Sequence, residues 1–318
     1  MANKKTSNHI LAYFDILGYK DILKRSLFTE EELIGYIEEI TQMVLLMKQP
    51  LFGKRRAKVY CFSDNFVICI KIDREKEIVF LLEALIFALQ KIQTKLLAEY
   101  SIFIRGSIVK GKIYGNRNFI FGEGLIKAYE IENELAVYPR IIVEYDLVKE
   151  VIGLVKGYFE FKDIQPAELI SERNFCYQFR EALFDDDNSD DTFSIRTICL
   201  RRDVDNEFFV DFLQDLLNVI DDKVIRKIDC DNEIESLSDF NLILFVYYNI
   251  INKALSENAE NKHVLIKYLW CCSYINLFCL ENDIQPPFTY ESIQDNTNIN
   301  LKNAKYKELK EYLRMYSK

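Results

Sequence analysis

The chain has 318 residues, 49% of them hydrophobic and 29% charged, with only 10 Gly and 5 Pro. That is the composition of one large or two ordinary globular domains, with little room for long disordered linkers. A net charge of −9 argues against broad nucleic-acid binding, which leans on cationic surface. No apolar run is expected to reach the length of a membrane span, and Met1–Asn8 has no apolar segment behind it, so no signal peptide is read there and a cytoplasmic location is expected. Residues 8–16 read as a first strand. Thr29-Glu-Glu-Glu32 opens a helix with an N-cap and an acidic first turn, carried to about Lys48 by Leu33, Ile37, Ile40, Val44 and Met47. Residues 57–64 and 65–72 form two strands joined by a tight turn near Ser63-Asp64-Asn65. A helix follows over about 74–99, then a strand at 101–110, another at 112–121, a helix at about 122–136 and a strand at 140–143.

The order β-α-β-β-α-β matches a ferredoxin-like antiparallel sheet with helices on one face, so the expected fold is α+β. Two domains are expected, residues 1–165 and a mainly helical region over 166–318. In the second, 155–162 and 193–200 read as strands, with the acidic run 185–191 between them, and Phe208–Gln214 leads into a helix. Helices are expected at about 236–256 and 261–281, the latter with the only Trp, Trp270. The segment from Asp229 has the early acidic spacing of a calcium loop but carries Ile234 and Phe240 where Gly and Glu are required, so it is rejected.

Two aspartates stand out. Asp15 and Asp64 lie at strand ends 49 positions apart, in runs of β-branched and aromatic residues. An ionised carboxylate in such a run is costly to bury unpaired. In a ferredoxin-like sheet the two strands are neighbours, and the pair would suit hard cations such as Mg²⁺ or Mn²⁺. Metal-dependent phosphoryl or nucleotidyl transfer is the leading expectation, against a pair of hydrogen-bonded strand-end acids. The eight cysteines form no Cys-x-x-Cys pair, and two histidines are too few for a His-built centre. The run Lys54-Arg55-Arg56 with Lys58 is a solvated loop or a local attractor for polyphosphate.

Four segments resemble the class III nucleotide cyclases: Tyr13-Phe-Asp-Ile-Leu-Gly-Tyr19, Ser63-Asp64, Arg105-Gly-Ser-Ile-Val-Lys-Gly111 and Gly122-Glu-Gly-Leu-Ile-Lys-Ala-Tyr-Glu-Ile-Glu132. They follow one another in the family's order over about residues 10–145. The resemblance implies two Mg²⁺ or Mn²⁺ ions on Asp15 and Asp64, a nucleoside triphosphate substrate approached by backbone at Gly18, and a homodimer. Tyr60 falls at the base-selecting position and Phe119 near its partner, so the usual purine-reading groups are replaced. Ile126 and Glu130 stand where the family has its transition-state Asn and Arg. Arg105, Lys110, Lys112 and Lys127 are the candidate substitutes for the missing cation, with Arg105 and Lys110 foremost, and Arg140 is a candidate phosphate contact. For Arg105 and Arg140 the alternative is an ion pair with Glu130, Glu132 or Glu144.

The resemblance extends to divergent bacterial proteins, some of which make pyrimidine cyclic nucleotides in anti-phage signalling. It implies a cyclase, with two alternatives. One is a nucleotide-binding or scaffold protein that keeps the fold without turnover. The other is a maker of cyclic oligonucleotides, whose Gly-Gly-Asp-Asp type of hairpin Ser63-Asp64-Asn65 does not match.

Overall fold

The structure is a computed structural model that describes residues 5–19, 29–32, 34–35, 37–39, 41–42, 57–116, 119–161, 174–177, 198–203, 205–214, 239–289 and 292–293. The basic run at 54–56, the acidic run at 185–191 and the segment from Asp229 lie outside these residues. Two compact units emerge, one of residues 1–93 with 104–215, the other of residues 94–103 with 216–318.

The first unit is built on a mixed sheet. Strands β1 (Ser7–Ile16), β2 (Lys58–Phe62), β3 (Asn65–Lys71) and β4 (Ile104–Gly115) lie in the order β2-β3-β1-β4, every pair antiparallel. This is the order of a βαββαβ ferredoxin-like sheet, and the α+β class expected from the sequence holds. Helix α1 (Ile78–Tyr100) is the crossover from β3 to β4. The described residues between 30 and 42 are helical. Their start is a capping box: the Glu32 carboxylate accepts from the Thr29 backbone N–H at 2.7 Å, and the Glu32 N–H donates to the Thr29 hydroxyl at 3.2 Å.

Beyond β4 come β5 (Ile120–Phe121), α2 (Glu123–Glu134) and β6 (Ile141–Val143), with β6 parallel to β4. A parallel neighbour needs a crossover, and α2 supplies it. One sheet face carries Leu11, Tyr13, Val67, Cys69, Val109 and Ile113, packed with Ala128, Leu125 and Ile131 of α2. The opposite face carries Ile10, Ala12, Phe14, Phe66, Ile68 and Ile108, all buried. Phe14 and Phe66 stack there with ring centroids 5.2 Å apart.

Three expectations are corrected. The strand expected at 112–121 is the second half of a long β4, followed by the two-residue β5. The strand expected at 155–162 is the end of a helix, α3 (Tyr145–Phe161). Its buried Leu147, Val148 and Val151 have helical spacing, and Asp146 sits in the first turn, where the helix dipole favours an acid. Strands β7 (Asn174–Tyr177), β8 (Ile198–Arg202) and β9 (Phe208–Val210) extend the same sheet past β6, so residues beyond 165 complete the first unit. Phe208–Gln214 holds β9 and a short 3-10 turn at Phe212–Gln214. A buried network closes this edge: Arg201 pairs with Asp211 at 3.0 Å, and Gln90 donates to the Asp211 carbonyl at 2.7 Å.

The second unit contains α4 (Asp239–Glu257) and α5 (Lys262–Glu281), close to the helices expected. Helix α5 qualifies the expectation about membrane spans, being long and apolar enough to cross a bilayer by length and composition. Its central residues are buried in protein, Trp270 stacks on Tyr274, and Asn276 brackets Phe288 with two backbone hydrogen bonds, at 2.6 and 3.1 Å.

Candidate functional site

Strand register decides which of the candidate residues meet. Asp15, next to last in β1, lies opposite Asn65 on β3 and opposite Arg105 on β4. Asp64 is the second residue of the turn joining β2 to β3, and its carbonyl accepts from the Ile16 N–H at 3.3 Å. The two aspartates, far apart in sequence, therefore share one end of the sheet. Asn65 links the corner, donating to Asp64 at 3.2 Å while its carbonyl accepts from the Tyr13 hydroxyl. The Tyr13 hydroxyl pKa is pushed up to about 12, first by burial and then by Glu132, Asp15 and Asp64, which marks this end of the sheet as a concentration of negative charge.

Arg105 answers that charge. Its Nε donates to Asp15 Oδ1 at 3.1 Å and its Nη2 to Oδ2 at 3.2 Å, a fork on a carboxylate. The same Nη2 lies 2.7 Å from Glu132 Oε1 on α2, whose side chain is only 4% exposed. Burial opposes the Arg105 charge, but the Asp15 hydrogen bonds and the charges of Asp15 and Glu132 outweigh it and raise the pKa. Glu132 reaches this point because α2 runs back along β4: Gly124 lies against Gly111, the Ser107 hydroxyl donates to the Ala128 carbonyl at 2.7 Å, and Glu132 meets Arg105. A Cβ on Gly111 would stand 2.5 Å from the Gly124 Cα, so helix and strand are in backbone contact.

Gly18 lies in the turn just after β1 with φ +80°, and no atom comes within 4 Å of where its Cβ would be. The backbone there is open to a close approach. Tyr60 lies on the Asp15 face of the sheet, paired with Val67 and through it with Tyr13. Its hydroxyl donates to the Asn116 carbonyl at 2.8 Å, and burial raises its pKa to about 12. Phe119 belongs to the same corner: the Asn116 N–H donates to the Phe119 carbonyl, the Phe119 N–H donates to the Asn116 side-chain Oδ1, and the exposed Phe119 ring leans on Tyr114 at 5.8 Å. Tyr60 and Phe119 are thus brought together around Asn116.

Lys110 and Arg140 are placed elsewhere. Strand alternation puts Lys110 on the face opposite Arg105, and its ammonium is 2.5 Å from Glu150 on α3. Arg140 is fully buried, paired with Asp203 and Asp205, with its guanidinium over the Tyr138 and Phe209 rings. The ion-pair alternative fits Arg140, with partners outside the three acids expected. Glu132, one of the three acids expected as an ion-pair partner, is the second clamp on Arg105, while Asn65, the link between the aspartates, was not singled out from sequence. The spacing Gly124, Ala128, Glu132 is a buried i, i+4 stripe, and an acid on such a stripe is the signal that marks Glu132.

Asp15 and Asp64 offer hard oxygen donors at one place, as Mg²⁺ or Mn²⁺ would require, and Mg²⁺ is commonly held by one or two carboxylates with substrate phosphates completing its shell. Among the described residues no cluster of three or more His, Cys, Asp or Glu side chains is arranged to hold a metal. An ion on Asp15 fits only if the Arg105 fork yields, and Glu132 remains to hold the guanidinium when it does.

No protein-family model matches the chain, and no curated protein matches it in sequence. Among solved structures it is similar to the monomeric guanylyl cyclase domain of the RhoGC fusion protein from the aquatic fungus Blastocladiella emersonii, at a TM-score of 0.38 and 11% identity, over 49% of this chain and 88% of that one. It is also similar to the catalytic core of a rhodopsin-guanylyl cyclase with converted specificity in complex with ATPalphaS, at a TM-score of 0.39 and 11% identity, over 66% of this chain and 98% of that one. A third is a class III adenylyl cyclase-like ATP-binding protein from Pseudomonas aeruginosa, at a TM-score of 0.32 and 13% identity, over 47% of this chain and 36% of that one.

Proposed function

We propose that this chain is a nucleotide cyclase that converts a nucleoside triphosphate to a 3′,5′-cyclic nucleotide and pyrophosphate with Mg²⁺ or Mn²⁺. The observation that carries the reading is the meeting of Asp15 and Asp64 at one sheet end beside Arg105. When bound, a divalent ion would lower the pKa of the ribose 3′-hydroxyl and neutralise the leaving pyrophosphate. Asp15 and Asp64 would hold it. Arg105, released from Asp15 and kept in place by Glu132, would present its N–H groups to the phosphates. The open turn at Gly18 would let backbone N–H groups approach them. The Tyr60–Phe119 corner would face the base, its shape and not a charged group setting the choice.

A second reading is a nucleotide-binding domain without turnover. It is favoured by Ile126, 61% exposed on α2 with no polar group to offer, and by the Arg105 fork on Asp15. One assay separates the two: pyrophosphate release from ATP, GTP, CTP and UTP with Mn²⁺, with products resolved by mass spectrometry. The cyclase reading expects one cyclic nucleotide, and Asp15→Asn or Asp64→Asn should lower its yield by about a hundredfold or more while the fold is retained. Product formation equal to wild type in both variants would remove the aspartates from the chemistry. Nucleotide binding without product from any of the four would establish the second reading.

A further inference from the structure

We propose that the far end of β1 carries a separate binding site for a small phosphate-bearing anion. His9 lies six residues before Asp15 on the same strand, which at the usual rise places it about 20 Å away. A cavity of about 370 Å³ opens at this end, lined by Lys5, His9, Lys58, Lys71 and Asp73 above Ile113 and Tyr114. This site does not depend on the cyclase reading.

Register assembles it. His9 pairs with Lys71 across β1 and β3, and Lys58 pairs with Cys69 on the next strand, so all three side chains share one sheet face. Cations placed side by side on a sheet repel one another. The compensation present is incomplete: Asp73 pairs with Lys71 at 2.9 Å, and Lys58 donates to the Gly115 carbonyl. Lys5, Lys58 and Lys71 against Asp73 leave an excess of positive charge around the cavity, in a chain whose net charge is −9.

His9 makes the cavity more than a rim of solvated lysines. Its side chain is part of a residue only 6% exposed. Nδ1 lies 2.7 Å from the Ser7 carbonyl, which can only accept, so Nδ1 carries the hydrogen. Nε2 has no hydrogen-bond partner among the described residues. Burial, then Lys58 and Lys71, lower the His9 pKa against the Ser7 hydrogen bond and Asp73, so the neutral ring offers a lone pair at Nε2. An anion among Lys5, Lys58 and Lys71 reverses that balance. It favours the proton on Nε2, which then donates to the ligand. Cys69 and Tyr114 also line the cavity, and burial raises the Cys69 pKa to about 11, so that thiol brings no charge at neutral pH. Binding therefore takes up a proton at His9 and weakens as pH rises.

The chain has two histidines, so His9 and His263 give two ring signals that can be followed by proton NMR. Inorganic pyrophosphate is titrated into the full chain in metal-free buffer. The expected result is a saturable shift of His9 and a higher His9 titration midpoint, with His263 unmoved. The double variant Lys58→Ala, Lys71→Ala, checked for an unchanged melting profile, should need at least about tenfold more pyrophosphate. Arg105→Gln should give the wild-type curve. Adenosine monophosphate in place of pyrophosphate identifies the source: tighter binding assigns a nucleotide with its ring against Tyr114, weaker binding a bare phosphate. A His9 shift that never saturates or runs parallel to His263, or an unchanged curve in the lysine double variant, overturns the site. Loss of the shift in Arg105→Gln also overturns it, because it moves the anion to the Asp15 end.

Discussion

At the residue scale, one strained and one buried position invite substitution. Ser63, first of the two turn residues between β2 and β3, has φ +59°, a conformation that Gly adopts without the Cβ penalty. Ser63→Gly should raise stability by about 1 kcal/mol, read as a higher melting temperature with unchanged denaturant slope. Arg140→Met leaves Asp203 buried beside an apolar side chain and should cost about 3–5 kcal/mol in a urea titration. A surface role would leave the midpoint within experimental error. Asp15 and Asp64 were legible in the sequence because carboxylates are misplaced in strand-forming runs. Lys110 and Arg140 misled for a related reason: a cation near a motif gives no hint of the face it occupies. Lys110 is one strand position from Val109 and Gly111 and so points away from Arg105's side. Arg140 is claimed by acids more than sixty residues later, at 203 and 205, a distance no local pattern reports.

At the scale of elements, α2 is the part that organises the site. The Gly111–Gly124 contact lets the helix lie on β4 closely enough for Glu132 to clamp Arg105. Gly111→Val should push the helix off the strand, destabilise the first unit by about 2–4 kcal/mol and lower nucleotide binding with it. If calorimetry shows a wild-type melt, the close approach is not required. The first βαββαβ segment was readable because its strands are short runs rich in β-branched and aromatic residues and its first helix begins with a recognisable cap at Thr29–Glu32. The end of α3 was not, because Val155 to Phe161 is rich in β-branched and aromatic residues and reads as a strand when separated from Tyr145–Leu154. Strand β7 is four residues long and, among the described residues, pairs only with β8, too short for periodicity to show.

At the scale of the molecule, exposed apolar side chains gather on the first unit. Phe62 and Tyr129 both lean on Tyr13, at ring distances of 6.5 and 6.0 Å, and Ile126 lies one turn before Tyr129 on α2. Grouped apolar exposure of this kind marks an interaction surface, and the homodimer implied by the cyclase resemblance would use it. Light scattering is expected to give a dimer mass for the wild-type chain and a monomer mass for the Ile126→Glu, Tyr129→Glu variant. A dimer that survives the double substitution places the interface elsewhere. The division of the chain into 1–165 and 166–318 followed the order of the expected elements, whereas the compact units follow sheet pairing, and β7 to β9 draw the first of them to 215.

The β2 strand carries one more consequence. Of the five described free thiols, Cys69, Cys271, Cys272 and Cys279 are buried, while Cys61 is exposed two positions before Ser63. Partial burial raises the Cys61 pKa, so alkylation there quickens as pH rises through the alkaline range. A fluorophore attached to the native chain at Cys61 would sit three residues from Asp64, close enough to register occupation of the aspartate corner as a change in its emission.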